Sequence, residues 1–226
     1  MDIGDAVAAF HAAHPRTVFL KTLRRHASVL DVGAGDGVLH VFKKWIHPPR
    51  EDLRLYAYSM KEEPGFNSYD GFEIGVWPQG KPIFNDLKFD AIFSSHFIEH
   101  IDDPLGFIVW QVSRLAQGGR IYCEWPSSHT SELPTVKEFQ KRDIPLVISN
   151  FKDDHTHNKE IPNRNAIVSK LEESGLVIDQ SGFITNPFIE AEGLAHFRAN
   201  RIDPFLLQSI FWSHTRWAQY VIATKP

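Results

Sequence analysis

The chain has 226 residues, 42% hydrophobic and 23% charged, with a formal net charge of -4; that is enough to bury a full core in one ordinary globular domain, 1–226. Gripping nucleic acid by its phosphates calls for a basic surplus, so a nucleic-acid substrate is disfavoured. Cys123 is the only cysteine, which excludes an intrachain disulfide and a cysteine-rich zinc site, and an acidic N-terminus without any long apolar run predicts a cytoplasmic protein with no membrane partner.

Helical spacing marks residues 3–13 and 16–26, separated by Pro15, as an N-terminal helical segment within 1–27. The apolar run Ser28–Val32 reads as a first strand and leads into Asp31-Val32-Gly33-Ala34-Gly35-Asp36-Gly37. A helix follows over 38–46 and ends before Pro48-Pro49, which cannot continue it. Strands are expected at 53–58, 72–76 and 89–94. Asp103-Pro104 then reads as an N-cap with proline in the first turn, opening a helix that Gly118-Gly119 closes. A strand over 120–124 is followed by an irregular polar stretch, 125–163, too long for an ordinary connection and read as a substrate-side loop or cap. Asn163 or Asn165 caps a helix through Leu171 that stops at Gly175, and strands at 176–183 and 220–224 flank further helical material.

Strands alternating with helices predict an α/β fold with a mostly parallel sheet covered on both faces. Right-handed crossovers put the ligand site outside the C-terminal ends of the strands, at the loops that begin at Gly33, Ser59, Ser95 and Trp125. Glycines 33, 35 and 37 allow a sharp turn and close backbone approach to a ligand, and N–H groups at a helix start attract carboxylate or phosphate. The turn is neither G-x-G-x-x-G, because Val38 stands three residues after Gly35, nor a Gly-Lys-Ser/Thr phosphate loop.

Acidic-x-Gly-x-Gly over Asp31–Gly35 resembles the first motif of the class I S-adenosylmethionine-dependent methyltransferases. Phe89 through Pro104 is similar to the fourth-strand segment of the small-molecule branch. Arg114-Leu115-Ala116-Gln117-Gly118-Gly119 resembles the family's approach to strand five, and Glu124-Trp125-Pro126 its exit. Asp154-His155, followed by a helix and Glu173-Ser174-Gly175-Leu176, resembles a downstream segment. The resemblance implies a Rossmann-like doubly wound sheet of about seven strands, mostly parallel with an antiparallel last strand. It also implies S-adenosylmethionine as cofactor, with Asp31, Gly33, Ala34 and Gly35 near its methionine moiety, Ser59 and Met60 near its adenosine, and Ser95 and His96 on the same edge. The family usually places an acidic residue at the end of strand two, where this sequence has Tyr58-Ser59-Met60 and carboxylates only at Glu62 and Glu63. A hydroxyl makes a weaker bond there than a carboxylate, which keeps a catalytically degenerate binding or regulatory protein as an alternative.

His96-Phe97-Ile98-Glu99-His100 also spells H-x-x-E-H, a zinc-hydrolase signature. It directly follows a strand and has no obvious partner ligand in sequence, so no metal is expected there. Asp153-Asp154-His155-Thr156-His157 reads either as a metal-binding cluster, as substrate contacts or as a solvated loop. Late aromatics such as Phe183, Phe188, Phe197, Phe205, Phe211, Trp212 and Trp217 read as core, with some able to line an apolar pocket. The expected reaction is methyl transfer to a small-molecule acceptor, at oxygen. A histidine titrating near neutrality suits removal of the hydroxyl proton, and His100, His155 and His157 are the candidates.

Overall fold

The computed structural model describes residues 3–45, 48–79, 84, 87–199 and 204–226. Seven strands, β1 (Ser28–Val32), β2 (Arg54–Ser59), β3 (Gly71–Ile74), β4 (Phe89–Ser95), β5 (Leu115–Pro126), β6 (Val177–Phe183) and β7 (Ala218–Thr224), form one sheet in the order β3-β2-β1-β4-β5-β7-β6. The first five of these run parallel, and β7 lies antiparallel to both β5 and β6. This is the doubly wound, Rossmann-like α/β architecture. β1 pairs with β2 on one side (Val32↔Tyr58) and β4 on the other (Val32↔Ser94). The strand order reverses here, which opens a crevice at the C-terminal ends of β1 and β4.

All five residues of β1 are buried, as a central strand covered on both faces requires. Its side chains alternate between two cores. Leu30 and Val32 join Ile92, Phe107, Ile108, Ile167 and Leu171 beneath α4 (Pro104–Arg114) and α6 (Arg164–Glu173). Val29 joins Phe19, Leu20, Leu39, Leu55 and Tyr122 beneath α2 (Pro15–Thr22) and α3 (Leu39–Trp45). Each fully buried Leu, Ile or Phe stabilises the fold by about 1.5–3 kcal/mol. Beside α2, α1 (Ile3–Ala13) packs on α7 (Pro187–Arg198), and α7 on α8 (Pro204–Thr215). The stretch after β5 holds short turns and one short helix, α5 (Val136–Gln140), before α6.

The caps follow the chemistry of the sequence. The Asp103 carboxylate accepts from the Gly106 amide at 2.8 Å, with Pro104 in the first turn of α4. The Asn163 side chain does the same for Ala166 at the start of α6. Strand ends shift by one or two residues, as at β3 and β7, and two boundaries differ from expectation by more. The second helix stops at Thr22 rather than 26, because the Arg50 guanidinium donates to the carbonyls of Leu20, Lys21, Leu23 and Arg24 at 2.9–3.0 Å, closing the helix end while Asp52 holds the arginine. Gly118-Gly119 does not close α4. The Gly118 amide donates to Lys225 and the Lys225 amide to Gly119, so the glycine pair lies inside a β5 that begins at Leu115. Ile46, the expected last residue of the third helix, lies outside the described residues, as do the side chains of Phe197 and Phe205.

Candidate functional site

Gly33, Gly35 and Gly37 all take positive φ, +73°, +54° and +79°, so the turn after β1 needs residues without a Cβ. The Gly33 and Ala34 amides both donate to the Tyr58 carbonyl, tying the turn to β2. A Cβ on Gly33 would lie 2.6 Å from the Phe97 ring, and one on Gly37 would meet the Gly65 backbone. Only Gly35 faces open space, its nearest neighbour being the Gly33 carbonyl at 3.9 Å. Beneath the turn, Asp31 is buried and its Oδ2 accepts from the Tyr69 hydroxyl at 2.6 Å. Burial, only partly offset by that hydrogen bond, pushes Asp31 up to about 7. At the β2 exit Ser59 is half-buried and Met60 exposed, while Glu62 is exposed and Glu63 pairs with Lys61.

A buried charge network spans the ends of β4 and β5. The Glu124 carboxylate accepts from Arg16 Nε at 2.9 Å and Nη2 at 2.5 Å, and also from the Tyr122 hydroxyl. Arg16 Nη2 also reaches Ser95 Oγ at 2.6 Å. His96, held at a positive φ of 52°, sits between two carboxylates, with Nε2 3.0 Å from Glu124 and Nδ1 3.2 Å from Glu99. Burial opposes the imidazolium, yet hydrogen bonds and charge from Glu124 and Glu99 hold His96 up at about 9. Burial likewise works against the Glu124 carboxylate, and the charges and hydrogen bonds of Arg16 and His96 overcome it and keep it far below the usual range. The two carboxylates thus favour the imidazolium form of His96, which suits it to a structural charge more than to a base. Its ring lies against Trp217, which stacks on Trp212 at 4.6 Å. His14 is also buried, and burial, against the opposing pull of Glu124, lowers it to about 3, leaving a neutral imidazole that caps α2.

Arg16, His14 and Glu124, with His11, Gln208, Ser209 and Ser213, form the polar part of a cavity of about 800 Å³. Its remaining wall is largely apolar: Phe10 from α1, Val38 just past the glycine turn, Phe42 from α3, Val147 and Ile148 from the long segment, and Trp212 from α8. An arginine–carboxylate pair beside aromatic and aliphatic walls suits a small, mostly apolar molecule carrying a few polar groups.

The candidate histidines divide. His100 and His157 face each other, ring centroids 4.9 Å apart. His100 Nδ1 lies 3.2 Å from the Thr156 carbonyl, and His157 Nδ1 lies 2.6 Å from that of Phe151, on whose ring His157 stacks. His155 is exposed and joins neither contact. Ser95 and His96 stand on the predicted edge with Asp31, Gly33, Ala34 and Gly35. Met60 stands apart from them by its exposure of 73%. Sequence reasoning assigned no role to Glu124 or Arg16. Glu124 had a legible signal, a carboxylate within the apolar run Ile121-Tyr122-Cys123-Glu124-Trp125, which demands a buried partner. Arg16 and Tyr69 had none, because each meets its partner only through the fold.

A family model described as a methyltransferase domain matches residues 8–181. Among solved structures, a Haloferax volcanii methyltransferase in complex with its Trm112 activator is similar over 98% of this chain and 95% of its own, at 16% identity and TM-score 0.60. A Bacillus halodurans methyltransferase matches over 93% and 97%, at 16% identity and TM-score 0.56. An S-adenosylmethionine-dependent methyltransferase from Archaeoglobus fulgidus matches over 92% and 89%, at 18% and 0.56. No curated protein matches significantly.

Proposed function

The chain belongs to the methyltransferase domain family, and from that premise we propose that it transfers a methyl group to a hydroxyl of a small, largely apolar molecule. The observation carrying this reading is the 800 Å³ cavity that runs from Val38, beside the glycine turn, to Glu124 at the strand ends. A donor and an acceptor can meet there. S-adenosylmethionine supplies an electrophilic methyl on a sulfonium. Asp31, Gly33, Ala34 and Gly35 are the residues to hold its methionine end, with Ser59 and Met60 on the adenosine side. The fit is supported by the open face of Gly35 and by Asp31, a buried acid that a ligand ammonium would return to its carboxylate form.

The chain's own contribution is positioning. Arg16 bonds Ser95 and Glu124 and so pins α2 across the β4 and β5 ends, while His96 is clamped between carboxylates. Holding two reactants in near-attack geometry lowers a barrier by several kcal/mol. The base belongs to the set His100, His155 and His157, which stand on the turn after β4 and on the long segment rather than in the lining of that cavity, so the acceptor hydroxyl must extend beyond it. With their Nδ1 atoms engaged by carbonyls, His100 and His157 offer Nε2 as the basic nitrogen. A net charge of -4 supports a small molecule rather than nucleic acid. A cytoplasmic location belongs to the same reading; no helix among the described residues is long and apolar enough to cross a membrane.

The test is incubation with methyl-labelled S-adenosylmethionine and matched panels of phenols, alcohols, amines and carboxylic acids, reading label transfer and S-adenosylhomocysteine release. Transfer confined to hydroxyl acceptors is expected; transfer confined to amines, or none despite measured cofactor binding, would overturn the acceptor assignment.

A further inference from the structure

The H-x-x-E-H stretch and the Asp154–His157 loop lie far apart in the chain, yet the fold brings them together. One ligand atom each from Glu99, His100 and His157 lies within 4.8 Å of the other two. The Asn158 amide donates to the Glu99 carbonyl at 2.8 Å, fixing the loop beside the turn after β4. We propose that Glu99, His100 and His157 form a binding site for a divalent transition-metal cation, zinc foremost, which departs from the sequence expectation of no metal here.

Three observations carry the assignment independently of the methyl-transfer reading. Glu99 is fully buried, and while its Oε1 contacts His96, its Oε2 has no hydrogen-bond partner among the described residues. A buried carboxylate oxygen left bare is rare and calls for an ion or water. Both imidazoles are oriented through Nδ1. A carbonyl can only accept, so the Nδ1–H of His157 donates to Phe151. The Thr156 hydroxyl, 3.0 Å from His100 Nδ1, spends its own proton on Asp154, so the Nδ1–H of His100 likewise donates to Thr156, leaving in each neutral ring a lone pair on Nε2. That backbone-carbonyl support is the outer shell metal-bound histidines ordinarily have. Asp154 Oδ2 stands 3.8 Å from His157 Nε2, and its Oδ1 accepts from the Thr156 hydroxyl, so a further carboxylate lies beside the cluster within reach of the His157 ring.

The donor set is two imidazole nitrogens and one carboxylate, which suits zinc and its neighbours better than magnesium or calcium. Ligands around a tetrahedral zinc stand about 3.4 Å apart, so binding draws the three groups inward from their present spacing. Bound metal would take both Nε2 lone pairs, and these histidines would then be ligands rather than free bases.

The test uses full-length protein freed of any histidine tag and stripped with chelator, titrated calorimetrically with zinc, manganese and magnesium chlorides. One zinc per chain is expected, binding more tightly than manganese or magnesium, with a rise in melting temperature. Affinity should fall at least tenfold in Glu99→Gln, His100→Ala and His157→Ala, and stay within twofold in His155→Ala. No saturable zinc binding, or equal binding by all four variants, or an equal loss in His155→Ala, would overturn the site. Should a ligand variant fail to fold, the visible spectrum of the cobalt(II)-loaded wild-type protein decides: four-coordinate nitrogen and oxygen ligation supports the site, and the hydrated ion's spectrum refutes it.

Discussion

Replacing Asp31 by asparagine tests how the buried acid under the glycine turn is held. Asp31 titrates at about 7 in the folded protein against an ordinary 3.8. Folding therefore binds a proton that the unfolded chain releases between those values, and stability falls as pH rises through that window and levels off above it. At about 1.4 kcal/mol per pH unit the full penalty is about 4 kcal/mol, of which about 2 kcal/mol accrues between pH 5.5 and 7. The carboxamide of Asp31→Asn would keep the shape and still accept from the Tyr69 hydroxyl without titrating. Urea unfolding of both proteins at pH 5.5, 7 and 8 should show the variant gaining on wild type by about 2 kcal/mol over the first interval and little thereafter. A gap that stays constant with pH would refute the reasoning. A ligand ammonium next to the carboxylate favours ionisation, so wild-type affinity for S-adenosylhomocysteine should rise across the same window and the variant's should not.

Glu124→Gln leaves the Arg16 and His96 cations facing each other without their shared carboxylate; we expect a loss of about 3 kcal/mol, read by urea denaturation, and a loss below about 1 kcal/mol would mean the network is solvated. Gly35→Val fills the open face of the turn at a φ of +54°, and calorimetry should show cofactor binding abolished while a folded melting transition remains. Asp103→Ala removes the cap on the Gly106 amide and should lower stability by about 1 kcal/mol, with cofactor binding unchanged. Of the histidine variants, one that removes the true base should reduce turnover by about 10²–10⁴-fold with cofactor affinity retained; turnover within a few fold of wild type in His100→Ala, His155→Ala and His157→Ala alike would eliminate all three.

The sequence determined what depends on neighbours in the chain. Periodicity and the Asp103 and Asn163 caps located nearly every strand and helix, because hydrophobic patterning and capping act over a few residues. Glycines spaced between a strand and a helix announced the sharp turn there, because only glycine takes three positive φ values so cheaply. Where the chain is held by distant groups, local rules failed: Arg50 ended α2 early, and pairing with Lys225 drew Gly118-Gly119 into β5. The chemistry of the edge was decided by tertiary structure alone. Whether a carboxylate is a base, a ligand or a structural charge depends on its burial and on which groups lie within a few ångströms, and these come from remote elements. Tyr69 reaches Asp31 across 38 residues, Arg16 reaches Glu124 across 108, and His157 arrives beside Glu99 and His100 only because the long loop folds back over the turn after β4.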